Sequence, residues 1–106
     1  LEGPLNEEAE SLTPYFSWIA VRSAKMYTLN LASDASMATL IYSTDSKEVF
    51  FQYPGEAPPL GNGTTYYWNV IAKDENGSPI GDASNVGSFK TPAGFIEIEF
   101  IYGSGK

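Results

Sequence analysis

The chain has 106 residues, 13 of them acidic and six basic, giving a formal net charge of −7, and it contains neither His nor Cys. The length suits one domain of about 100–150 residues, and the missing residue types exclude disulfides, thiolate metal sites and the commonest general base. The negative charge disfavours nucleic acid and anionic lipid, and no run of about 20 apolar residues could span a bilayer, so we expect no cofactor, nucleic-acid partner or direct membrane insertion.

The first half of the chain alternates between apolar and polar residues in short runs that are separated by turn residues, a spacing typical of a β-sandwich. We expect strands over residues 3–5, 14–21, 25–32, 39–43 and 48–53. The acidic run over 6–11 has no apolar stripe, and we interpret it as a solvated loop. The second strand places Phe16 and Trp18 on one face, because strand side chains alternate with period two.

The second half predicts a long strand over 64–73, a turn at Asn76-Gly77 and a returning strand over 80–91 that contributes Val86 and Phe89. Leu60, a glycine-containing turn and then Tyr66 form the pattern of a tyrosine corner, which is typical of β-sandwiches. The predicted core consists of Phe16, Trp18, Tyr27, Leu29, Leu31, Phe51, Leu60, Tyr66, Trp68, Val70 and Phe89.

Several short motifs share one family pattern. They are Pro4-Leu5-Asn6, Thr13-Pro14-Tyr15-Phe16-Ser17-Trp18, Tyr27-Thr28-Leu29, Gly63-Thr64-Thr65-Tyr66-Tyr67-Trp68-Asn69-Val70 and Ser88-Phe89-Lys90-Thr91-Pro92. Together they resemble the fibronectin type III family in its divergent bacterial and archaeal surface-protein form. The resemblance implies an all-β, seven-stranded Greek-key β-sandwich of the fibronectin III/immunoglobulin-like kind over residues 1–92. The integrin-binding Arg-Gly-Asp tripeptide of the family is absent.

Residues 93–106 extend beyond this module. After the hinge Ala93-Gly94, alternation over 95–102 predicts an additional C-terminal strand about 26 Å long. Its apolar face and its backbone groups need a partner sheet, so we assign an interaction strand with the residues Phe95, Ile96, Ile98, Phe100 and Tyr102. Three alternatives stay open: an edge strand of its own domain, the start of a following domain, or a strand donated to a neighbouring subunit, which would build fibres.

Other candidate sites lie on loops and outward faces. Asn62 and Asn76 fit the glycosylation pattern, although Asn-Gly is also a common turn dipeptide. Asp74, Glu75 and Asp82 offer oxygen ligands to calcium, but the spacing of a calcium loop is missing and solvated turn acids are the favoured interpretation. Outward tyrosines could stack on sugar rings, unless they pack across neighbouring strands; the candidates are Tyr15, Tyr42 and Tyr67.

Catalysis is not expected, because the sequence offers no His, no Cys and no paired carboxylates on two walls of a cleft. We therefore predict a non-catalytic structural or interaction module of an extracellular or cell-surface protein. Its expected partner is protein, bound by sheet-edge pairing. The alternatives are a carbohydrate-binding accessory module of a larger secreted enzyme and a plain inter-domain spacer. Because the chain begins at Leu1 rather than Met, we expect a processed or excised piece of a longer protein.

Overall fold

The computed structural model describes residues 3–5, 7–9 and 11–93, and within them the regular structure is entirely β-strand. The seven strands of this part are β1 (Glu7–Glu8), β2 (Tyr15–Ser17), β3 (Met26–Ala32), β4 (Leu40–Ser46), β5 (Phe50–Gln52), β6 (Thr65–Lys73) and β7 (Gly87–Lys90). None of the described residues belongs to a helix that could cross a membrane. The all-β prediction is confirmed for this part of the chain.

The strands form two sheets. The large sheet has the order β1-β7-β6-β3-β4, and the small sheet consists of β2 and β5. Neighbours are antiparallel, except that β1 runs parallel to β7. The sheets meet through aromatic rings, with Phe16 of β2 4.8 Å from Trp68 of β6 and 5.6 Å from Phe89 of β7, measured between ring centroids. This packing is that of a β-sandwich, as the sequence predicted.

The core follows the period-two alternation of β3 and β6. Leu29 lies opposite Val70 and Leu31 opposite Trp68, so the inward residues of the two strands pack side by side. All predicted core residues are buried except Phe51, which is half-buried. Thr28 is also buried although its neighbours Tyr27 and Leu29 occupy the inward face; β3 lies between β4 and β6, and the Thr28 hydroxyl donates to Asp45 Oδ1 of β4 over 2.6 Å.

The N-terminal segment differs from the prediction in two places. Gly3 forms only an isolated bridge with Ser17, in place of a strand over 3–5. The acidic run predicted as a solvated loop contains β1, and Ala9 beyond it is buried and donates its N–H to the Lys90 carbonyl over 2.8 Å. The acidic composition concealed this strand, because a two-residue edge strand is set by its neighbour and needs no apolar stripe of its own.

The returning strand is also shorter than predicted, since β7 covers only Gly87–Lys90 of the expected 80–91. Before β7 the chain touches β6 at separate points, where Ile80 N–H bonds to Ala72 O and Ser84 N–H to Val70 O, both over 2.8 Å. The Ser84 hydroxyl accepts the Val70 N–H over 2.9 Å. A side chain thus replaces a ladder partner. Val86, which was predicted to belong to the returning strand, lies before β7 and is exposed.

Two strands of the small sheet end earlier than predicted. β2 stops at Ser17 although Trp18 N–H still bonds to Val49 O over 3.0 Å, and β5 is limited to Phe50–Gln52. β4, in the large sheet, instead ends later than predicted, at Ser46.

The division into residues 1–92 and 93–106 and the strand over 95–102 stay predictions, because residues 94–106 lie outside the described residues.

Candidate functional site

A tyrosine corner fixes the turn that precedes β6. The Tyr66 hydroxyl accepts the Gly61 N–H over 2.7 Å, and Leu60 beside it is buried. Thr91 completes the corner from the end of β7: its buried hydroxyl donates to Gly61 O over 2.5 Å and accepts the Thr64 N–H over 2.9 Å. The corner is therefore a structural feature, and functional groups must lie elsewhere.

The outer face of the small sheet carries an exposed aromatic pair, Tyr15 of β2 and Phe50 of β5. Their ring centroids are 5.9 Å apart and their planes differ by 14°, so Tyr15 stacks on a residue of the neighbouring strand, which is the alternative left open for outward tyrosines. Both side chains point away from the core, because Phe16 and Phe51, which neighbour them in sequence, turn towards it. The pair is 54% and 44% exposed, an unusual position for two large rings.

Gln52 and Ile19 extend this face. Gln52 lies opposite Tyr15, and its Nε2 donates to Thr13 O over 2.5 Å, while its amide oxygen accepts no hydrogen bond within the described residues. Ile19 is 69% exposed at the other end, just beyond β2. The face thus combines apolar rings with a free polar acceptor.

The other two tyrosines that were expected on outward faces do not join this pair. Tyr42 lies opposite the buried Leu31 and packs against Tyr53 and Phe51, with centroid distances of 5.1 and 6.2 Å, so its outward assignment is wrong. The reason is that the pairing shifts between Leu31 and Ala32, which interrupts the alternation of β4, so the adjacent residues Ile41 and Tyr42 both pack against the core. Tyr67 does point outward, but from the large sheet.

An apolar cleft of about 210 Å³ opens where the chain leaves β2 and where it returns towards β7. It exists because the segment 79–86 touches β6 only at points instead of forming a continuous strand. The lining residues are Trp18, Ile19, Val21, Tyr27, Val70, Ala72, Ile80, Asp82 and Ser84.

Tyr27 and Trp18 shape one wall of the cleft. The Tyr27 hydroxyl accepts the Val21 N–H over 2.9 Å and so holds the connection between β2 and β3. The Trp18 ring meets Tyr27 edge-on at a centroid distance of 5.7 Å, and its buried indole N–H has no hydrogen-bond partner within the described part of the chain. These contacts give the wall a fixed shape.

The acidic loop residues do not converge on a metal site. Asp74 uses its Oδ1 within its own turn, where it accepts the N–H groups of Asn76 over 2.9 Å and Ser78 over 3.0 Å. Asp82 lines the cleft instead. Across residues 3–5, 7–9 and 11–93 no cluster of three or more acidic, His or Cys side chains could hold a metal ion.

Asp34 closes the turn between β3 and β4. Its carboxylate accepts a hydrogen bond from the Ser36 hydroxyl, the Thr39 N–H over 2.8 Å and the Ala38 N–H over 3.3 Å. These hydrogen bonds, chiefly the one from the Ser36 hydroxyl, hold the pKa of Asp34 below its usual value.

A second shifted group lies in the core. Burial raises the pKa of Tyr53, whose hydroxyl donates a hydrogen bond to Pro58 O.

The remaining predicted sites keep the status of predictions. Asn62 and Asn76 both lie exposed in turns, which suits a glycosylation acceptor and a turn residue equally. The five residues of the interaction strand, Phe95, Ile96, Ile98, Phe100 and Tyr102, lie outside the described residues.

No protein-family model matches the chain, and no curated protein matches it. Among solved structures, the chain is similar to an alpha-L-rhamnosidase from Dictyoglumus thermophilum, with a TM-score of 0.61 and 20% sequence identity. The similarity covers 84% of this chain and 11% of that one. The chain therefore spans a small part of its structural relative, and the likeness concerns the fold.

Sequence reasoning missed Phe50 and the cleft. Val49, Phe50 and Phe51 form a continuous apolar run, in which alternation does not tell which residue faces out. The cleft follows from the interrupted pairing of Ile80 and Ser84 with β6, and the only sequence signals for this are Pro79 and Gly81, which weaken a strand assignment.

Proposed function

We propose that this chain is a non-catalytic accessory module of a larger extracellular or cell-surface protein, and that it binds neutral carbohydrate through the outer face of the small sheet. The observation that carries the proposal is the exposed, near-parallel pair of Tyr15 and Phe50. The two rings are in contact and so form one continuous apolar patch, and exposed apolar patches can mark binding sites.

The chemistry of the outer face suits a sugar. An aromatic ring offers a flat apolar surface to the C–H face of a pyranose, and the solvent-exposed parts of the stacked Tyr15 and Phe50 rings offer such a surface. The free amide oxygen of Gln52 can accept a hydrogen bond from a sugar hydroxyl. The net charge of −7 favours an uncharged polysaccharide over an acidic one, because like charges repel.

The fold comparison supports an accessory role. A similar fold makes up 11% of an alpha-L-rhamnosidase chain, so such a sandwich occurs as one part of a larger enzyme named for its action on a sugar. The motifs around Trp18 and Tyr66 further support a fibronectin III-like Greek-key module, a type that commonly accompanies catalytic domains. Because one fold serves many roles, the proposed carbohydrate binding rests on the exposed Tyr15 and Phe50 rings and not on the fold.

Affinity electrophoresis in gels that contain neutral polysaccharides, one of them rich in rhamnose, tests this proposal. Retardation of the chain should be lost in the double variant Tyr15→Ala/Phe50→Ala. The matched control is Leu40→Ala/Val86→Ala, which removes two side chains of nearly equal exposure, 50% and 43%, from other surfaces. Equal retardation of both variants, or no retardation of the original chain by any of the polysaccharides, would contradict the proposal.

A second candidate function is sheet-edge pairing through the interaction strand over 95–102, with fibre assembly as its extreme form. The observation in its favour is the edge of the large sheet, where the seven-residue strand β4 pairs with β3 alone among the described strands. A strand that pairs on one side can accept another. Either an edge of the same molecule or that of a neighbour would satisfy the interaction strand.

Light scattering coupled to size exclusion separates these outcomes. If the strand joins subunits, the original chain forms oligomers, and Ile98→Lys, which places a charge on the apolar face, gives a folded monomer. The control Glu97→Lys changes the opposite face and should leave the oligomers intact apart from its effect on net charge. A monomeric original chain would exclude assembly between subunits.

A further inference from the structure

Two polar groups of the residues that line the apolar cleft have no hydrogen-bond partner within the described residues: the buried Trp18 indole N–H and the exposed Asp82 carboxylate. Ser84, by contrast, is fully used, because its hydroxyl accepts the Val70 N–H over 2.9 Å and donates to Asn85 O over 3.0 Å. The exposed Asp82 carboxylate forms no hydrogen bond or ion pair within the described residues. The cleft thus presents a free negative charge beside apolar walls.

A ligand that complements this cleft has an apolar stem and a cationic end. The stem would lie against Val70, Ala72 and Ile80, and the cation would meet Asp82. A neutral apolar ligand would leave the carboxylate without a partner.

The size of the cleft suits one side chain. A cavity of about 150 Å³ holds a benzene molecule, so a cleft of about 210 Å³ has room for the apolar stem of one long side chain.

The rim of the cleft indicates that the cation belongs to a polypeptide. Ile19 and Val21 are exposed there, and a small free amine in the cleft would leave their apolar surface in water. A net charge of −7 additionally favours the approach of a basic partner. Arg22, the basic residue next to Val21 in sequence, does not line the cleft and so does not occupy it.

We propose that this cleft binds a lysine or arginine side chain of a partner polypeptide, with Asp82 as the ion-pair partner and the apolar walls around the stem. The site is distinct in chemistry from the carbohydrate-binding face, although Ile19 borders both. A site of this kind would tie the module to another domain or protein while its outer face binds a sugar.

Nuclear magnetic resonance of the ¹⁵N-labelled chain tests this proposal with two short peptides. One is acetyl-Ala-Lys-Ala-amide, and the other carries norleucine, which keeps the apolar stem without the charge. The lysine peptide should shift the Trp18 indole N–H and the amides of residues 70–72 and 80–84, and it should bind at least about tenfold more tightly than the norleucine peptide.

Two variants distinguish an ion pair with the Asp82 carboxylate from a general effect of net charge on peptide binding. Asp82→Asn should weaken the lysine peptide about tenfold, whereas Glu75→Gln, which changes the net charge equally on the neighbouring turn, should leave binding unchanged. Asp82 forms no contact that the fold needs, so the spectrum of its variant should otherwise match that of the original chain. Equal binding of both peptides, equal weakening by both variants, or the absence of shifts at the cleft would each overturn the proposal.

Discussion

At the scale of single residues, the hydroxyl of Tyr66 has a role that its neighbour Tyr67 lacks. Tyr66→Phe removes the acceptor of the Gly61 N–H and should lower the free energy of unfolding by about 1 kcal/mol. The matched control is Tyr67→Phe, because the Tyr67 hydroxyl forms no hydrogen bond within the described residues. Urea unfolding of both variants measures the difference, and equal stabilities would contradict the tyrosine corner.

Asp34 should make stability depend on pH in the acid range. Its folded-state pKa is lowered, so its contribution is present above the unfolded value of 3.8 and is lost as the pH falls through the folded value. Asp34→Asn should therefore be less stable than the original chain at neutral pH, and the difference should shrink below about pH 4. Thermal melting over this range measures it. A stability difference between Asp34→Asn and the original chain that stays constant over this range would contradict the assignment.

Residue roles could be predicted where a local pattern fixes them. The turn before Tyr66 and the alternation around Trp68 determine their positions, and the structure places both as expected. Thr91 was not expected as a buried hydrogen-bonding residue, because its partners Gly61 and Thr64 come from a distant turn. Tyr42 was misassigned because a register shift does not show in the sequence of one strand.

At the scale of elements, the sequence predicted the long central strands correctly but not the short strands at the sheet edges. β3 and β6 have an apolar face along their whole length, which sets both their existence and their register. β1 consists of two glutamates and exists because β7 offers backbone partners. The interrupted approach to β7, from which the cleft arises, depends on the Ser84 side chain bonding to Val70.

The two tryptophans join the sheets, and their removal tests the sandwich. Trp18 lies 6.4 Å from Trp68 between ring centroids, and Trp68 also donates its indole N–H to Pro4 O over 2.9 Å. Trp68→Ala or Trp18→Ala should cost about 3–5 kcal/mol, a large part of the 5–15 kcal/mol by which a small domain is stable. Chemical denaturation measures the loss, with the exposed Leu40→Ala as the control. Near-original stability of either tryptophan variant would contradict the packing.

At the scale of the whole molecule, four exposed apolar side chains lie on or beside the small sheet, whereas Leu40 and Val86 are exposed on other surfaces. Tyr15 and Phe50 occupy its outer face, and Ile19 and Val21 follow at the rim of the cleft. The large sheet is the scaffold that holds this side in place through the aromatic core. Sequence alone predicted the scaffold, whereas the surface depended on which of several adjacent apolar residues turned outward.

The most direct test of the proposed function is a nuclear magnetic resonance titration of the ¹⁵N-labelled chain with a neutral oligosaccharide chosen from the polysaccharide that retards it. We expect the oligosaccharide to change the amide chemical shifts of Tyr15, Ser17, Phe50 and Gln52. The Asp82→Asn variant should show the same changes, and the Tyr15→Ala/Phe50→Ala variant should show none. Shifts confined to the large sheet or to the cleft would contradict a carbohydrate-binding role for the outer face of the small sheet.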